Sequence, residues 1–379
     1  MSWIRHVLGA AIFLTAVSAR AQEVVVHPTK ENLSTVGLVR RVGRQDLPTL
    51  PATLLALRRQ LRAAERIDYI GTLDGSPETV LGQIRDVTVT PKGTVLVTDR
   101  ANRAIRAFDA RGTPLFAVGR DGSGPTDLRT PIASWSTGAG SDFAVFDAAL
   151  GIKYFHRDSR GTVTLKKVAP LTVAMSAACA TGNGIIALAM PSADAGDAAH
   201  LVRVLDSDGH QIRSFGSSYS SATRLVRTEM SEGQIGCTAD GTVLTSMVKL
   251  PYVVAYDTAG RRMWTLLMND FQIGRQLERR MPDGRARFGL DPDNPTASFT
   301  LQLREISPGF AIVQVGLMTP QSLKDRTIWS RIDTYLIDTR SGSAAFVSST
   351  LPLIAGVASW RLFAFENDPY PRVLVYRLP

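Results

Sequence analysis

The histidines are the residues of this sequence whose side chains could most readily act in acid–base catalysis or bind a metal ion. Beyond residue 21 they are His27, His156, His200 and His210. None has a second histidine at the spacing of a zinc site, and the sequence lacks a Gly-x-Ser-x-Gly nucleophile motif. The pattern favours surface positions for these histidines. It leaves the catalytic residues, if the protein is an enzyme, unknown, and it predicts no metal ligand and no cofactor.

A stretch rich in arginine, within residues 268–298, is the strongest candidate for a binding site. A guanidinium beside aromatic rings can hold a carboxylate, a phosphate or an acidic glycan. The acidic residues of the same stretch could instead pair with its arginines, so that the segment only closes one face of the protein. With neighbouring loops included, the candidate ligand-binding residues are Arg100, Arg103, Arg120, Arg275, Arg279, Arg280, Arg285, Arg287 and Trp329.

The composition is that of a globular protein. The chain has 379 residues, of which 44% are apolar and 20% charged, and this is too apolar for a disordered chain. The net charge is +9, and the basic excess is mostly arginine that is dispersed along the sequence. Such a charge permits an anionic partner, but the absence of basic runs argues against nucleic-acid binding.

The first 21 residues have the pattern of a signal peptide. A short basic region precedes eleven apolar residues at 7–17, and Ala19-Arg20-Ala21 fits the small-x-small cleavage rule. Eleven apolar residues are too few to span a bilayer, and no later segment reaches 18. The sequence therefore predicts a soluble periplasmic or extracellular protein, which we expect to be a monomer, after cleavage near Ala21.

A repeated motif, an apolar residue followed by Asp-x-x-Gly, organises the rest of the chain. It occurs at residues 108–112, 205–209 and 256–260, and one residue longer at 337–342. Each copy lies between two strand-like runs, which is typical of a hairpin whose aspartate caps the turn and whose glycine takes a positive φ. A second hairpin precedes each copy. The repeating unit is thus four antiparallel strands, as in a β-propeller blade.

Six such blades account for the strand-like segments of residues 67–379. The last blade has only three strands at the C-terminus, and residues 68–73 supply a fourth that would close the ring. The predicted fold class is therefore all-β, a six-bladed β-propeller with four-stranded antiparallel blades, closed by an N-terminal strand. Before it lie the signal peptide, residues 1–21, and an extension, residues 22–66.

The sequence also resembles the NHL-type six-bladed β-propellers, in particular secreted bacterial six-bladed β-propeller proteins. The resemblance is carried by VLVTDRANRAIRAFDARG at 95–112, GRDGSGP at 119–125 and VLVYRL at 373–378, although Thr126-Asp127-Leu128 replaces the family's Gly-Glu-Phe. It implies the fold but almost nothing about activity. Enzymes that resemble this fold place histidine, acidic or amide ligands at the central channel. Here only Asp86 and Gln234 begin inner strands with polar side chains.

The extension contains an amphipathic helix. Leu50, Leu54, Leu57, Leu61 and Ala64 recur at helical spacing, with arginines elsewhere around the helix. Such a basic helix either lies on an anionic membrane surface or packs on the flank of the propeller.

The two cysteines, Cys179 and Cys237, occupy matching positions in neighbouring blades 3 and 4. A disulfide would need their Cα atoms to lie within about 7 Å. Two buried thiols that pack as small apolar groups are the alternative.

Alternating strand directions place the long segments 191–199, 217–233, 268–298 and 316–331 on one face, and tight turns on the other. Long loops on a rigid scaffold commonly form binding sites. We therefore expect a binding module that recognises a protein, a peptide or a glycan through this face. The alternative is a metal-dependent hydrolase or lyase, lactonase-like, at the mouth of the channel. Asp99 and Asp147 end corresponding strands, and they either form a carboxylate ring on this face or hold the turns.

Overall fold

The structure is a computed structural model of the chain. It describes residues 21–24, 38–45, 50–90, 92–122, 124–137, 141–171, 175–181, 184–189, 200–221, 223–281, 284–325 and 327–379. The cleavage region before Ala21 and His27 therefore lie outside the described residues. Six blades, each with four antiparallel strands and one of them with an additional outer strand, confirm the predicted all-β six-bladed propeller. Among the described residues, no helix has the length and apolar character needed to cross a bilayer.

The strands follow one another in the order that the repeat predicts. Before blade 1 come β1 (Ala21–Val24), β2 (Leu38–Val42), α1 (Ala52–Arg62) and β3 (Glu65–Ile70). Blade 1 contains β4 (Ile84–Val89), β5 (Val95–Asp99), β6 (Ala104–Phe108) and β7 (Pro114–Val118). Blade 2 contains β8 (Pro131–Thr137), β9 (Asp142–Asp147), β10 (Gly151–Arg157) and β11 (Val163–Ala169). Blade 3 contains β12 (Met175–Thr181), β13 (Gly184–Ala189), β14 (His200–Leu205) and β15 (Gln211–Ser217).

The second half of the ring carries the additional elements. Helix α2 (Arg224–Ser231) leads into blade 4, which contains β16 (Gly233–Cys237), β17 (Val243–Met247), β18 (Tyr252–Tyr256) and β19 (Arg262–Met268). A hairpin follows, formed by β20 (Gln276–Arg280) and β21 (Ala286–Leu290). Blade 5 contains β22 (Ala297–Ser307), β23 (Phe310–Met318), α3 (Pro320–Lys324), β24 (Arg331–Asp338) and β25 (Ala344–Ser348). Blade 6 contains β26 (Leu353–Ala358), β27 (Arg361–Glu366) and β28 (Arg372–Arg377), and its outer strand is β3.

The closing strand β3 pairs antiparallel with β28, with Ile70 opposite Val373. It spans Glu65–Ile70, three residues earlier than the predicted 68–73. The reason is Gly71, whose φ of +103° ends the extended conformation. The amide of Thr72 then donates to the carbonyl of Thr79, so the chain turns away from the sheet.

The repeated Asp-x-x-Gly turns have similar geometry. In four of them an aspartate oxygen accepts hydrogen bonds from the backbone amides two and four residues later, whereas in the longer copy Asp338 accepts the amides two and three residues later. In the first copy Asp109 binds the amides of Arg111 and Thr113, and Gly112 has a φ of +86°. The same pair of bonds is made by Asp158, Asp206 and Asp257. The motif is therefore a structural turn, and this explains why it recurs from blade to blade.

The N-terminal extension is bound to the ring at two places. Strand β2 pairs in parallel with β19, so it forms a fifth strand on the outside of blade 4. Helix α1 packs against blades 5 and 6, where Leu54 and Leu61 are fully buried. Arg58 Nε also donates to the carbonyl of Phe346 at 2.7 Å. Because the apolar face of α1 is covered by the propeller, the helix has no free apolar face for a membrane surface.

A disulfide joins Cys179 on β12 to Cys237 on β16. Their Cα atoms are 5.7 Å apart, within the distance that the bond requires. The bond connects the inner strands of blades 3 and 4 and closes a loop of 58 residues.

We expect the double variant Cys179→Ala/Cys237→Ala to be less stable to urea than the wild type by about 2–4 kcal/mol, because the unfolded chain is no longer cross-linked. Dithiothreitol should lower the stability of the wild type to that of the variant and leave the variant unchanged. Equal stability of oxidised and reduced wild type would contradict the assignment.

The substitution Leu54→Ala should lower the free energy of unfolding by about 2–4 kcal/mol, because it leaves a cavity between α1 and blades 5 and 6. The matched control is Leu55→Ala on the same helix, where the side chain is 37% exposed. Urea unfolding should show a loss below about 1 kcal/mol for the control. Equal losses at the two positions would mean that α1 is not docked.

Candidate functional site

The four strands of each blade are called A to D, from the innermost strand to the outermost. The face that carries the B–C loops and the crossovers between blades is called the loop face, and the opposite one the turn face. The segments predicted as long loops on the loop face contain regular structure. Segment 217–233 contains α2, segment 268–298 contains the β20–β21 hairpin, and segment 316–331 contains α3. Segment 191–199 lies outside the described residues.

These insertions form a second layer over blades 3 to 5. Helix α2 buries Val226 and Met230, one turn apart, in the core between blades 3 and 4. It also contacts β21, and Phe288 of that strand packs against the same core. Strand β1 pairs with β20 and makes the hairpin a three-stranded sheet. The loop face is therefore raised on one half, while blades 1, 2 and 6 have short B–C loops.

Trp329, which we predicted as a binding residue, packs into this layer. Its ring lies 5.6 Å from that of Phe299, measured between centroids, and it is only partly exposed. Gly316 makes room for it, since a Cβ there would come within 2.7 Å of the indole. The tryptophan anchors the segment after α3.

Three of the candidate arginines bind carboxylates of the same or a neighbouring loop. Arg103 pairs with Asp121. Arg120 Nε donates to Asp127 at 3.0 Å, and the side chain of Asp127 is 8% exposed. Arg275 donates to Asp291 at 2.9 Å, and the side chain of Asp291 is 4% exposed. The pair of Arg275 with Asp291 agrees with the alternative to ligand binding, in which acidic residues of segment 268–298 pair with its own arginines.

Asp127 also organises the GRDGSGP loop. It accepts the amide of Gly124 at 2.7 Å, and this bond together with Arg120 holds the pKa of Asp127 below its usual value. Gly119 begins the loop with a φ of +93°. The loop is a crossover stabilised by its own side chains.

The remaining arginines of the hairpin are placed differently. Arg285 and Arg287 are exposed, at the start of β21. Arg287 lies opposite the half-buried Arg279 in the register of β20 and β21. The backbone of Arg280 ends β20, and its side chain lies outside the described residues. The proximity of these two arginines concentrates positive charge on the hairpin. Their charges repel each other, because like charges directly opposite on antiparallel strands are unfavourable.

The channel mouth on the loop face is also charged. Lys249 Nζ lies 3.5 Å from a carboxylate oxygen of Glu229 and 3.8 Å from one of Glu232, at the C-terminal end of α2. It also donates to the carbonyl of Glu229 at 2.8 Å. Arg85 at the start of β4 interacts electrostatically with Glu232 and with Arg100 of the B–C loop. Blades 1 and 4 are opposite in the ring, so these charges face one another across the mouth.

Burial lowers the pKa of Arg85, and among its charged neighbours Asp86 and Glu232 raise it whereas Arg100 lowers it. The mouth gathers three cations, Arg85, Arg100 and Lys249, and two carboxylates, Glu229 and Glu232. Of these, the sequence predicted only Arg100.

A second arginine bridges the channel below the mouth. Arg304 of β22 pairs with Asp86 of β4 and donates to the carbonyl of Val87. It also donates to the carbonyl of Ala355, on β26, at 2.9 Å. One guanidinium therefore connects the inner strands of blades 5, 6 and 1. Asp86, one of two polar residues that the sequence placed at the channel, is an ion-pair partner here, and Gln234 is half-buried.

The carboxylates that end strand B serve the turns. Asp99 accepts the amides of Gly82 and Gln83, which precede strand β4 of its own blade. Asp147 makes the equivalent bonds to the amides of Arg129 and Thr130. Both are fully buried. Asp99 and Asp147 therefore hold the turns and do not form a carboxylate ring, because their oxygens accept hydrogen bonds from backbone amides.

The described histidines lie away from the channel mouth. His210, with Asp206 and Asp208, forms the one group among the described residues whose donor atoms are close enough to hold a metal ion. It lies on the turn face, and Asp206 there already accepts two backbone amides. His156 is bound to Asp142 at 2.5 Å, and His200 is exposed.

The fold defines the chain as a six-bladed β-propeller with a layered loop face. No protein-family model matches the sequence, and no curated protein matches it. Solved structures do resemble it. One is a protein from Bacteroides fragilis whose name describes it as exported, with a TM-score of 0.56 and 10% identity over 90% of this chain and 99% of that one. This likeness shows the fold alone.

A second similar structure is virginiamycin B lyase from Staphylococcus aureus, with a TM-score of 0.42 and 11% identity over 83% of this chain and 99% of that one. A third is U3-55K, with a TM-score of 0.46 and 10% identity over 82% of this chain and 98% of that one. Neither similarity bears on activity.

Arg304→Ala should destabilise the protein by about 3 kcal/mol, because it leaves the buried carboxylate of Asp86 without its cation. The double variant Arg304→Met/Asp86→Leu should recover part of this loss, since no carboxylate is then left without its cation, although Arg85 loses the attraction of Asp86. Urea unfolding of Arg304→Met, Asp86→Leu and the double variant measures the coupling. Additive losses would show that the two side chains do not interact.

Proposed function

We propose that this chain is an exported binding module that recognises a partner with acidic groups, a protein, a peptide or a glycan, through its loop face. The observation that carries the proposal is the positive charge exposed on the β20–β21 hairpin. Arg285 and Arg287 are exposed to solvent at the start of β21, and Arg279 lies opposite Arg287. Exposed arginines on a rigid hairpin can bind carboxylates in pairs of parallel hydrogen bonds.

The channel mouth supports the same chemistry. It contains three cations and two carboxylates, and both carboxylates contact Lys249. An acidic partner that approaches the hairpin would therefore meet further positive charge at Arg85 and Arg100. Complementary charge of this kind steers association and favours one class of partner.

The alternative enzyme would need acidic or histidine side chains that converge at the mouth. Among the described residues, the group with suitable donor atoms is Asp206, Asp208 and His210, on the opposite face. The mouth contains three cations and only two carboxylates, and the cations repel a metal ion. These positions favour binding over metal-assisted hydrolysis.

Export is part of the proposal. It is supported by the signal-peptide pattern of residues 1–21 and by the disulfide between Cys179 and Cys237. Structural disulfides are typical of proteins that fold in oxidising compartments.

The test measures binding of the chain, without residues 1–21, to immobilised poly-glutamate and polygalacturonate, with poly-glutamine and dextran as neutral references. The variant Arg285→Glu/Arg287→Glu should lower affinity for an acidic probe by at least about tenfold, because it reverses charge at the contact. Raising the salt concentration should weaken wild-type binding, since exposed charges are screened. The polymer that binds identifies a peptide-like or a glycan partner.

The matched control is Arg111→Glu/Arg160→Glu, which changes the net charge equally at exposed positions on the turn face. This variant should retain wild-type affinity. If both double variants lose affinity to the same extent, binding reflects net charge alone and the loop face is not the site. Absence of binding to both acidic polymers would also contradict the proposal.

A further inference from the structure

A cavity lies between blades 3 and 4, separate from the charged channel mouth. Its volume is about 230 Å³. One wall comes from β14 and β15, with Leu201, Gly216 and Ser217, and the other from β17, β18 and β19. The disulfide joins the inner strands of these two blades, and the cavity lies farther from the axis, between their outer strands.

Part of the cavity wall is apolar and well buried. Leu201 is 4% exposed, Met247 3%, Tyr252 2% and Val254 6%. These residues belong to the core between blades 3 and 4, which fixes their positions. Ser217 is exposed and marks the rim. The volume of the cavity is below the range of about 300–1,000 Å³ that is typical of pockets for drug-sized ligands, so the cavity suits a smaller molecule.

One end of the cavity is polar. The lining residues there are Tyr256, Thr245 and Arg262, and the hydroxyl of Tyr256 lies beside Gly216. Burial raises the pKa of Tyr256, while the charge of Arg262 and a hydrogen bond with Thr245 act in the opposite direction. The phenol is therefore protonated at neutral pH and can donate a hydrogen bond. A cation beside a hydroxyl donor suits a carboxylate.

Glycine keeps the space beside the tyrosine open. Gly216 has a φ of +74°, and a Cβ at this position would lie 3.0 Å from the hydroxyl oxygen of Tyr256. Any larger residue would therefore crowd the polar end of the cavity. The ring of Tyr256 is held from its other side by Phe215, at a centroid distance of 5.1 Å.

We propose that this interblade cavity binds a small organic monoanion. The apolar body of the ligand lies among Leu201, Met247 and Val254, and its carboxylate contacts Arg262 and the hydroxyl of Tyr256. Neither the arginines of the β20–β21 hairpin nor the charges of the channel mouth line the cavity, so a small molecule and a macromolecular partner can bind to the protein together.

The test compares phenylacetate with its neutral isostere phenylacetamide, by calorimetric titration and by thermal unfolding. Phenylacetate should raise the melting temperature of the wild type, because a ligand that binds only the folded state stabilises it. Its dissociation constant should be at least about tenfold below that of the amide, which corresponds to about 1.4 kcal/mol for the charge.

Arg262→Gln should abolish the preference for the anion. The matched control is Arg261→Gln at the adjacent residue, whose side chain is 83% exposed and pairs with Asp257 at 2.8 Å on the surface. The control should bind phenylacetate as the wild type does. Tyr256→Phe removes only the hydroxyl and should weaken binding of phenylacetate more than that of phenylacetamide. This variant tests the site independently of the Arg262 substitution.

The proposal is overturned if the wild type binds neither probe, or binds both equally. It is also overturned if Arg262→Gln and Tyr256→Phe both retain the wild-type preference for the anion.

Discussion

The pairing of β3 with β28 is the interaction on which the rest of the architecture depends. It places residues from the two ends of the chain in one sheet, with Glu65 bound to Arg377. Once blade 6 is complete, its inner strand β26 lies beside β4, and Asn367 binds both the amide and the carbonyl of Ile84. The closed ring then fixes which charges meet across the channel. Arg304 can reach Asp86 only because blades 5, 6 and 1 are consecutive around that closure.

The sequence was most informative where one short motif determines a local geometry. The Asp-x-x-Gly turns, such as residues 108–112, place the hairpins, and their spacing predicts the blades and the need for a closing strand. The end of that strand depends on Gly71, whose conformation is set by packing against Leu81 and by the loop that follows. Such contacts are not visible in a pattern of apolar residues. The closing strand was therefore predicted with an offset of three residues.

The candidate site could be predicted only in part, because charge pairing is a property of three-dimensional neighbours. Arg275 and Arg287 look alike in the sequence, yet one pairs with a buried aspartate and the other is exposed on the hairpin. Arg85 and Arg304 carry no local signal, since each lies in an ordinary strand and meets partners from other blades. The disulfide was left open for a similar reason, because the separation of Cys179 and Cys237 depends on how far the inner strands diverge.

The attachment of the extension through β2 has a consequence for the order of folding. Arg44 donates its backbone amide to Asp270, 226 residues later, and Glu65 bonds to Arg377, 312 residues later. Contacts of such high sequence separation slow folding, because the intervening chain must be ordered before they form. Residues 38–70 are synthesised before the blades with which they pair, and they find their partners last. The N-terminal segment must therefore remain unpaired until blades 4 and 6 exist, and its late docking completes the molecule.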